Sequence, residues 1–331
     1  MKKLFNKVEN IVSELAQGIA LVHSDKLLKL PDHNVIVKKQ KPEDKVILIS
    51  GGGSGHEPAH AGYVGQGMLD AAVLGEIFTS PTPDAVYAPI EYYSSKKGTL
   101  LIIKNYTGDV MNFQMAADMG AMNDLEVDYV VVDDDIALEN SEYTVGKRGI
   151  AGTVFVHKIA GAKAELGATL AEVKAVANKT INNLASYGIS LDACTLPTLG
   201  KKSFEIPDDE VEVGLGIHGE KGTHREKIKT ADEHTQQLYE ILKAHHKLEK
   251  GNKVAIMVNG LGSTMLMELY ILARKIKLLA NEDQLEVVEF LVGNYMTSLD
   301  MPGFSLTILK LDDELQDLLT KSSDTGAYTK L

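Results

Sequence analysis

Two histidines four residues apart, His56 and His60 in the stretch SGGGSGHEPAH (50–60), admit two incompatible chemistries. Read as H-E-x-x-H, they would ligate zinc from one face of a helix, with Glu57 as general base and Glu76 as a candidate third ligand. Read as a glycine-rich loop, the same stretch would bring backbone N–H groups close to the oxygens of a small ligand at a helix N-terminus. Pro58 weighs against zinc, because proline fits only the first turn of a helix and that helix would have to begin almost at the first ligand. The glycines would also go unexplained. The loop is neither a P-loop nor a dinucleotide fingerprint, since His56 stands where the lysine of one and the last glycine of the other belong. A ligand cradle is the stronger reading, and a tight strand-to-helix turn without a ligand is the plain alternative.

Other residues have the right chemistry for such a site. Lys104 and Asp109, in KNYTGD, offer a cation and a carboxylate that could orient a histidine or accept a proton; capping of a helix by Asp109 is the competing account. His218 lies among glycines in VGLGIHGEKG, which clear space for an imidazole to approach a bound molecule, although a lone histidine is often structural. Asp133, Asp134 and Asp135 could hold magnesium, but with no nucleotide-binding loop nearby they read as a solvated strand end. His224, His245 and His246 sit in charged sequence expected to be exposed and receive no role. The segment MLMELYILARKI (265–276) reads as core and needs no cofactor.

These residues hang on a recurring pattern of short apolar runs. KVILIS (45–50), TLLIIK (99–104), DYVVVDD (128–134) and KVAIMVN (253–259) are continuous and β-branched, as strands buried on both faces are. VEFLVGNYMTS and FSLTILKL add further strands. Helical stretches lie between them, which predicts an α/β architecture with largely parallel sheet. Leu4, Val8, Ile11, Val12, Leu15 and Ile19 recur at helical spacing and mark a first helix. A helix is predicted over about 151–184, with Ser186-Tyr187-Gly188 as its stop, another over about 225–248, and Ser263 as the cap of the next. The boundary is placed near 185, giving an N-terminal α/β domain (1–184) with the glycine loop and a C-terminal α/β domain (185–331) with His218. Ligands in open α/β sheets sit beyond the carboxyl ends of strands. GGGSGH, NYTGD and NGLGST all follow strands, so a common cleft is expected.

Composition narrows the classes. The 331 residues are 44% hydrophobic and 24% charged, with a formal net charge of -12, leaving no basic stripe for nucleic acid or anionic membrane. One cysteine, Cys194, cannot form an intrachain disulfide, which fits a cytoplasmic location. Glu9 and Glu14 interrupt any signal-peptide core, and no apolar run is long enough to span a membrane.

Taken together, SGGGSGHEP (50–58), GEIFTSPTPD (75–84), LLIIKNYTGD (100–109), GLGIHGE (214–220) and YMTSLDMPGFS (295–305) resemble the dihydroxyacetone kinases, specifically their substrate-binding K-type subunit. The resemblance implies two α/β domains, each with a sheet flanked by helices (DAK1/DegV-like). It implies dihydroxyacetone held as a hemiaminal on His218, with Gly53, Ser54, Gly55 and His56 forming the substrate loop. Lys104 and Asp109 would contact the substrate hydroxyls, and His56 would be general base with Asp109 assisting. No ATP-binding segment is evident, so ADP or ATP and magnesium are expected on a partner L subunit, rephosphorylated by a phosphotransferase-system donor, and this chain is expected to bind no cofactor or metal. A cytoplasmic homodimer is the family expectation. The competing function is a non-catalytic paralogue that binds dihydroxyacetone and acts as a transcriptional coactivator; an H-E-x-x-H zinc peptidase is the remote one.

Overall fold

The computed structural model describes residues 2–138, 146–220 and 222–331. They form two compact units, each assembled from separated stretches: 2–132, 155–180 and 317–331 in the glycine-loop unit, and 133–154 with 181–316 in the His218 unit. This division departs from a linear boundary at 184/185. The C-terminal strands return to the glycine-loop unit, where Thr325 and Asp324 pair with Gly65 and Gln66. Residues 133–154 leave it, as Asp135 bridges to Ser186.

The glycine-loop unit is built on a six-stranded sheet. Its strands are β1 (Leu27–Lys29), β2 (Val35–Lys38), β3 (Ile47–Ser54), β4 (Ala71–Ile77), β5 (Thr99–Lys104) and β6 (Val127–Val132), in the order β1-β2-β4-β3-β5-β6. The four strands β4, β3, β5 and β6 run parallel, as their continuous apolar runs predict. Every residue of β3 and β5 is buried. Helices α1 (Ile11–Val22), α2 (Pro83–Tyr93) and α3 (Thr107–Met122) belong to this unit; Val86, Ile90 and Phe113 of the last two pack on Ile49, Leu101 and Ile103. The long helix read over 151–184 is two, α4 (Thr153–Glu165) and α5 (Leu170–Asn182). They separate at Gly167, whose φ of 77° is left-handed and favours glycine.

The His218 unit holds a second six-stranded sheet. Its strands are β7 (Leu184–Ser190), β8 (Glu210–Val213), β9 (His224–Lys227), β10 (Lys253–Gly260), β11 (Glu286–Gly293) and β12 (Gly303–Leu311), in the order β9-β8-β7-β12-β10-β11. Only β10 and β11 are parallel; the other pairs are antiparallel. The expected largely parallel sheet therefore holds for one unit and not the other. Ser186-Tyr187-Gly188, read as a helix stop, lies inside β7, where Tyr187 joins the core. The charged stretch at 225 begins as strand β9 and becomes helix α6 (Ala231–His246) only after Thr230, which caps it with a capping box. Helix α7 (Leu266–Glu282) starts at Met265 rather than under a Ser263 cap. Its Leu269, Leu272 and Ile276 are core, but Met265, Met267 and Tyr270 are exposed, so the methionine-rich segment is core on one face only. No helix among the described residues is long and apolar enough to cross a membrane.

Candidate functional site

In the glycine-loop unit the site is built at the carboxyl ends of two neighbouring parallel strands. Strand β3 runs through the glycines to Ser54, so the loop is first of all the end of a strand and then a turn; no α-helix starts there. The expected helix N-terminus is absent because residues 50–54 are already paired with β4 and β5. Lys104 closes β5, and Asp109 stands in the first turn of α3, where its side chain does not cap the helix. Lys104 Nζ lies 3.2 Å from Asp109 Oδ2 with both side chains nearly fully buried. Gly52 makes room for this pair: a Cβ there would be 2.6 Å from Lys104 Nζ and 3.2 Å from Asp109 Oδ2. A Cβ on Gly53 would likewise meet the Thr79 nitrogen at 2.5 Å. Gly52 thus brings bare backbone against a buried cation and carboxylate, an arrangement suited to holding hydroxyls, while Gly53 lets the 78–79 backbone approach.

The side chains around the loop take distinct positions. Ser54 Oγ donates to the Gly75 carbonyl at 2.7 Å, so its hydroxyl hydrogen is committed to β4. Gly55 adopts φ 106° and donates its N–H to Glu57 Oε1 at 3.0 Å. Burial pushes the Glu57 carboxyl up, only partly offset by that N–H. His56 is fully buried and stacked on Phe78, ring centroids 5.1 Å apart and planes 16° from parallel. Phe78 and Thr79 thus lie against the glycine loop, a contact that the quoted GEIFTSPTPD stretch does not reveal by itself.

The zinc pattern does not survive this geometry. Residues 57–60 form a turn rather than a helix, with cis peptide bonds at Glu57-Pro58 and Ala59-His60. His60 Nδ1 is 3.0 Å from His157 Nε2 and 3.3 Å from Ser50 Oγ. Ser50 gives its hydrogen to the Ile102 carbonyl, so toward His60 its oxygen can only accept. Burial, followed by the charge of Lys104, holds the His60 ring well below the usual histidine range and takes His157 down to about 3, which leaves both rings neutral. No cluster of three or more His, Cys, Asp or Glu among the described residues could hold a metal ion.

His218 belongs to the other unit, on the turn that follows β8. The VGLGIHGEKG stretch, whose sequence reads as extended, is instead a turn at His218, with Gly214 and Gly219 at left-handed φ values of 75° and 84°. Glu220 faces the imidazole: its Oε1 is 3.0 Å from His218 Nδ1 and its Oε2 accepts the His218 N–H at 2.9 Å. Behind it lies a buried ion pair, Arg148 with Asp135, at 2.7 Å. Of the three aspartates after β6, Asp133 is a partly exposed strand end facing Lys147, whereas Asp134 and Asp135 are not solvated. Asp134 is fully buried and accepts from Ile150 and Gly152 nitrogens and Ser186 Oγ, and Asp135 is 1% exposed. Burial pushes the Asp135 carboxyl up to about 6, against the opposing pull of the Arg148 charge beside it. The third expected cluster, NGLGST, also follows a strand of this unit's sheet. There Asn259 spends its amide on Met296, Ser305 and Tyr295, fixing a loop rather than facing a ligand.

Comparison with known proteins agrees with the motif resemblance. Residues 17–327 match the Dak1 domain. A protein of Listeria innocua serovar 6a named PTS-dependent dihydroxyacetone kinase 1, dihydroxyacetone-binding subunit DhaK, is 51% identical over 329 residues, covering 99% of this chain and all of that protein. The solved structure of the dihydroxyacetone kinase operon co-activator Dha-DhaQ superposes with a TM-score of 0.91 at 36% identity, covering 96% of this chain and 98% of that one. The dihydroxyacetone kinase of C. freundii, solved with AMP-PNP and Mg2+, gives a TM-score of 0.91 at 33% identity and covers 99% of this chain but 61% of that one. With a match running through both units, the chain belongs to the Dak1 domain family.

Proposed function

We propose that the chain is the dihydroxyacetone-binding subunit of a dihydroxyacetone kinase. It would hold the ketone as a hemiaminal on His218 and present a terminal hydroxyl for phosphorylation to dihydroxyacetone phosphate. The observation that carries this reading is the 51% identity to the Listeria DhaK subunit along its entire length. The buried Lys104–Asp109 pair against bare glycine backbone supports it, because that is chemistry for hydroxyls rather than for a metal.

The proposed steps use ordinary carbonyl chemistry. The lone pair of a His218 ring nitrogen forms a C–N bond to the carbonyl carbon, the carbonyl π pair moves to oxygen, and that oxygen takes up a proton. The ring gives up the hydrogen on its other nitrogen, so hydrogen balance is kept. Glycerol has no carbonyl and cannot form this bond, which makes the anchor a specificity device as well as a restraint on motion. Lys104 and Asp109 hydrogen-bond the substrate hydroxyls, the backbone of Gly53, Ser54 and Gly55 lines the loop, and His56 with Asp109 removes the hydroxyl proton as it attacks phosphorus. ATP or ADP and magnesium reside on an L subunit that a phosphotransferase-system protein recharges. The name of the Listeria relative supports that dependence. A cytoplasmic homodimer belongs to the same reading.

The second reading is a coactivator that binds dihydroxyacetone without turning it over, favoured by the likeness to the operon co-activator structure. Mixing this chain with the L subunit and phosphoryl donor of its own organism, each omitted in turn, separates the two. Dihydroxyacetone phosphate formation that requires this chain supports the kinase subunit. Failure with partners active on another K subunit, alongside retained dihydroxyacetone binding, supports the coactivator.

A further inference from the structure

The loop that carries His218 is folded around one carboxylate. Glu220 is 6% exposed, its Oε2 accepts the His218 backbone N–H at 2.9 Å, and its Oε1 is 3.0 Å from Nδ1. Burial pushes the Glu220 carboxyl up, but the adjoining His218 ring and the Arg148 charge bring it down to about 2. An ionised carboxylate only accepts, so the hydrogen between Glu220 and the ring sits on Nδ1.

Glu220 is itself backed by a cation whose own place is fixed. Arg148, 1% exposed, donates from Nε to Asp135 Oδ2 at 2.8 Å and from Nη2 to the Gly214 carbonyl at 2.7 Å. Asp135 is aligned in turn by the Ala137 N–H at 3.0 Å on its Oδ1. The guanidinium thus ties a buried carboxylate to the first carbonyl of the histidine loop. Gly216 lies against both groups: a Cβ there would be 2.1 Å from Glu220 Oε2 and 2.8 Å from Arg148 Nη1. Asp135, Arg148, Glu220 and His218 form a series of alternating charge that ends on an imidazole. Planar, always charged and held by two partners, arginine suits this role better than lysine.

We propose that Arg148, acting through Glu220, is a positioning residue that holds the His218 imidazole as the Nδ1–H tautomer with Nε2 as the nucleophile toward a ketone carbon. The inference rests on the hemiaminal reading and adds to it residues that do not touch the substrate. As Nε2 bonds to carbon the ring becomes cationic, and Glu220 stabilises that cation until the Nδ1 hydrogen is released and the new alkoxide is protonated. Glu220 is held ionised first by the His218 ring it faces and then by the nearby Arg148 charge, so the proton stays on the ring until that moment.

The test is nitrogen NMR of the full-length protein labelled with 15N-histidine, with the His218 signals assigned by their loss in His218→Asn. Without ligand, wild-type His218 is expected to show a protonated Nδ1 and a bare Nε2. Glu220→Gln and Arg148→Met are expected to give mixed tautomers, with the equilibrium constant for adduct formation lowered about tenfold, as for loss of a charge-assisted hydrogen bond. Adduct is read as a tetrahedral carbon from [2-13C]dihydroxyacetone. Arg148→Lys, which keeps the charge, should restore part of the loss. A wild-type ring protonated on Nε2, or unchanged tautomer and adduct in folded Glu220→Gln, overturns the proposal. Should Arg148→Met fail to fold, the wild-type spectrum and Glu220→Gln decide it. Failure of the hemiaminal reading is distinguishable, because wild-type protein would then give no tetrahedral carbon whatever its tautomer.

Discussion

The cluster on β3 and β5 and the cluster around His218 reach a similar end by opposite means. The first is made largely of backbone: glycines at a parallel strand end leave room for Lys104 and Asp109, and a Cβ at Gly52 would occupy the space of that pair. The second is made of side chains, with a carboxylate and a buried ion pair standing behind one imidazole on a turn between antiparallel strands. A backbone site tolerates little change in residue size, whereas a side-chain site tolerates little change in charge. The two should therefore fail differently when mutated.

The largest effect is expected at His218. His218→Ala should abolish both the covalent adduct and turnover in the reconstituted kinase, and residual turnover near the wild-type rate would remove His218 from the mechanism. His56→Ala should keep the adduct and lower turnover by roughly two orders of magnitude, the size of a lost general base. If the adduct disappears as well, the division of labour between the clusters is wrong. Gly52→Ala sharpens the contrast because it changes no charge. With φ at 152° and Lys104 Nζ 2.6 Å from the new Cβ, it should cost about 1–3 kcal/mol of stability, read by urea unfolding. It should also weaken dihydroxyacetone binding, whereas Gly18→Ala, with nothing within 4 Å of its Cβ, should not.

A smaller effect concerns acid stability of the glycine-loop unit. Burial pushes Glu165 up, but Lys45 and Lys38 outweigh it and hold the carboxyl at about 2, against 4.5 for the free group. A depressed carboxylate adds stability that is complete above the unfolded value and is lost as pH falls through the folded one. Stability should drop between about pH 4.5 and 2, and Glu165→Gln should flatten that part of the profile in urea titrations at stepped pH. The side chain is one-third exposed, so solvent screening keeps the effect modest.

How much could be read from the chain alone follows from this comparison. The parallel strands of the glycine-loop unit were legible because burial on both faces leaves an uninterrupted apolar run, and the glycine and KNYTGD motifs mark their ends. The antiparallel sheet was less so: Ser186-Tyr187-Gly188 carries turn-like residues yet lies in the middle of β7, because Tyr187 finds a core to bury in. The division into units was not legible either, since chain order carries no record that 317–331 return to the glycine-loop unit. At the sites, residues adjacent in sequence were accessible and distant partners were not. Glu220 stands two positions from His218 and its proximity was a usable signal. Arg148 lies 70 positions away in ordinary sequence, and the Asp135 it binds read as a solvated strand end. Nor does sequence show that Ser54 turns its hydroxyl toward Gly75 or that Phe78 stacks on His56.

The central claim is that His218 bonds covalently to dihydroxyacetone. Carbon NMR of [2-13C]dihydroxyacetone with stoichiometric wild-type protein, repeated with His218→Ala, tests it most directly. The account predicts that the ketone resonance gives way to a protein-bound tetrahedral carbon in the wild type and persists unchanged in the variant. A bound ligand that remains a ketone in the wild type, or a tetrahedral carbon that survives in His218→Ala, would contradict it.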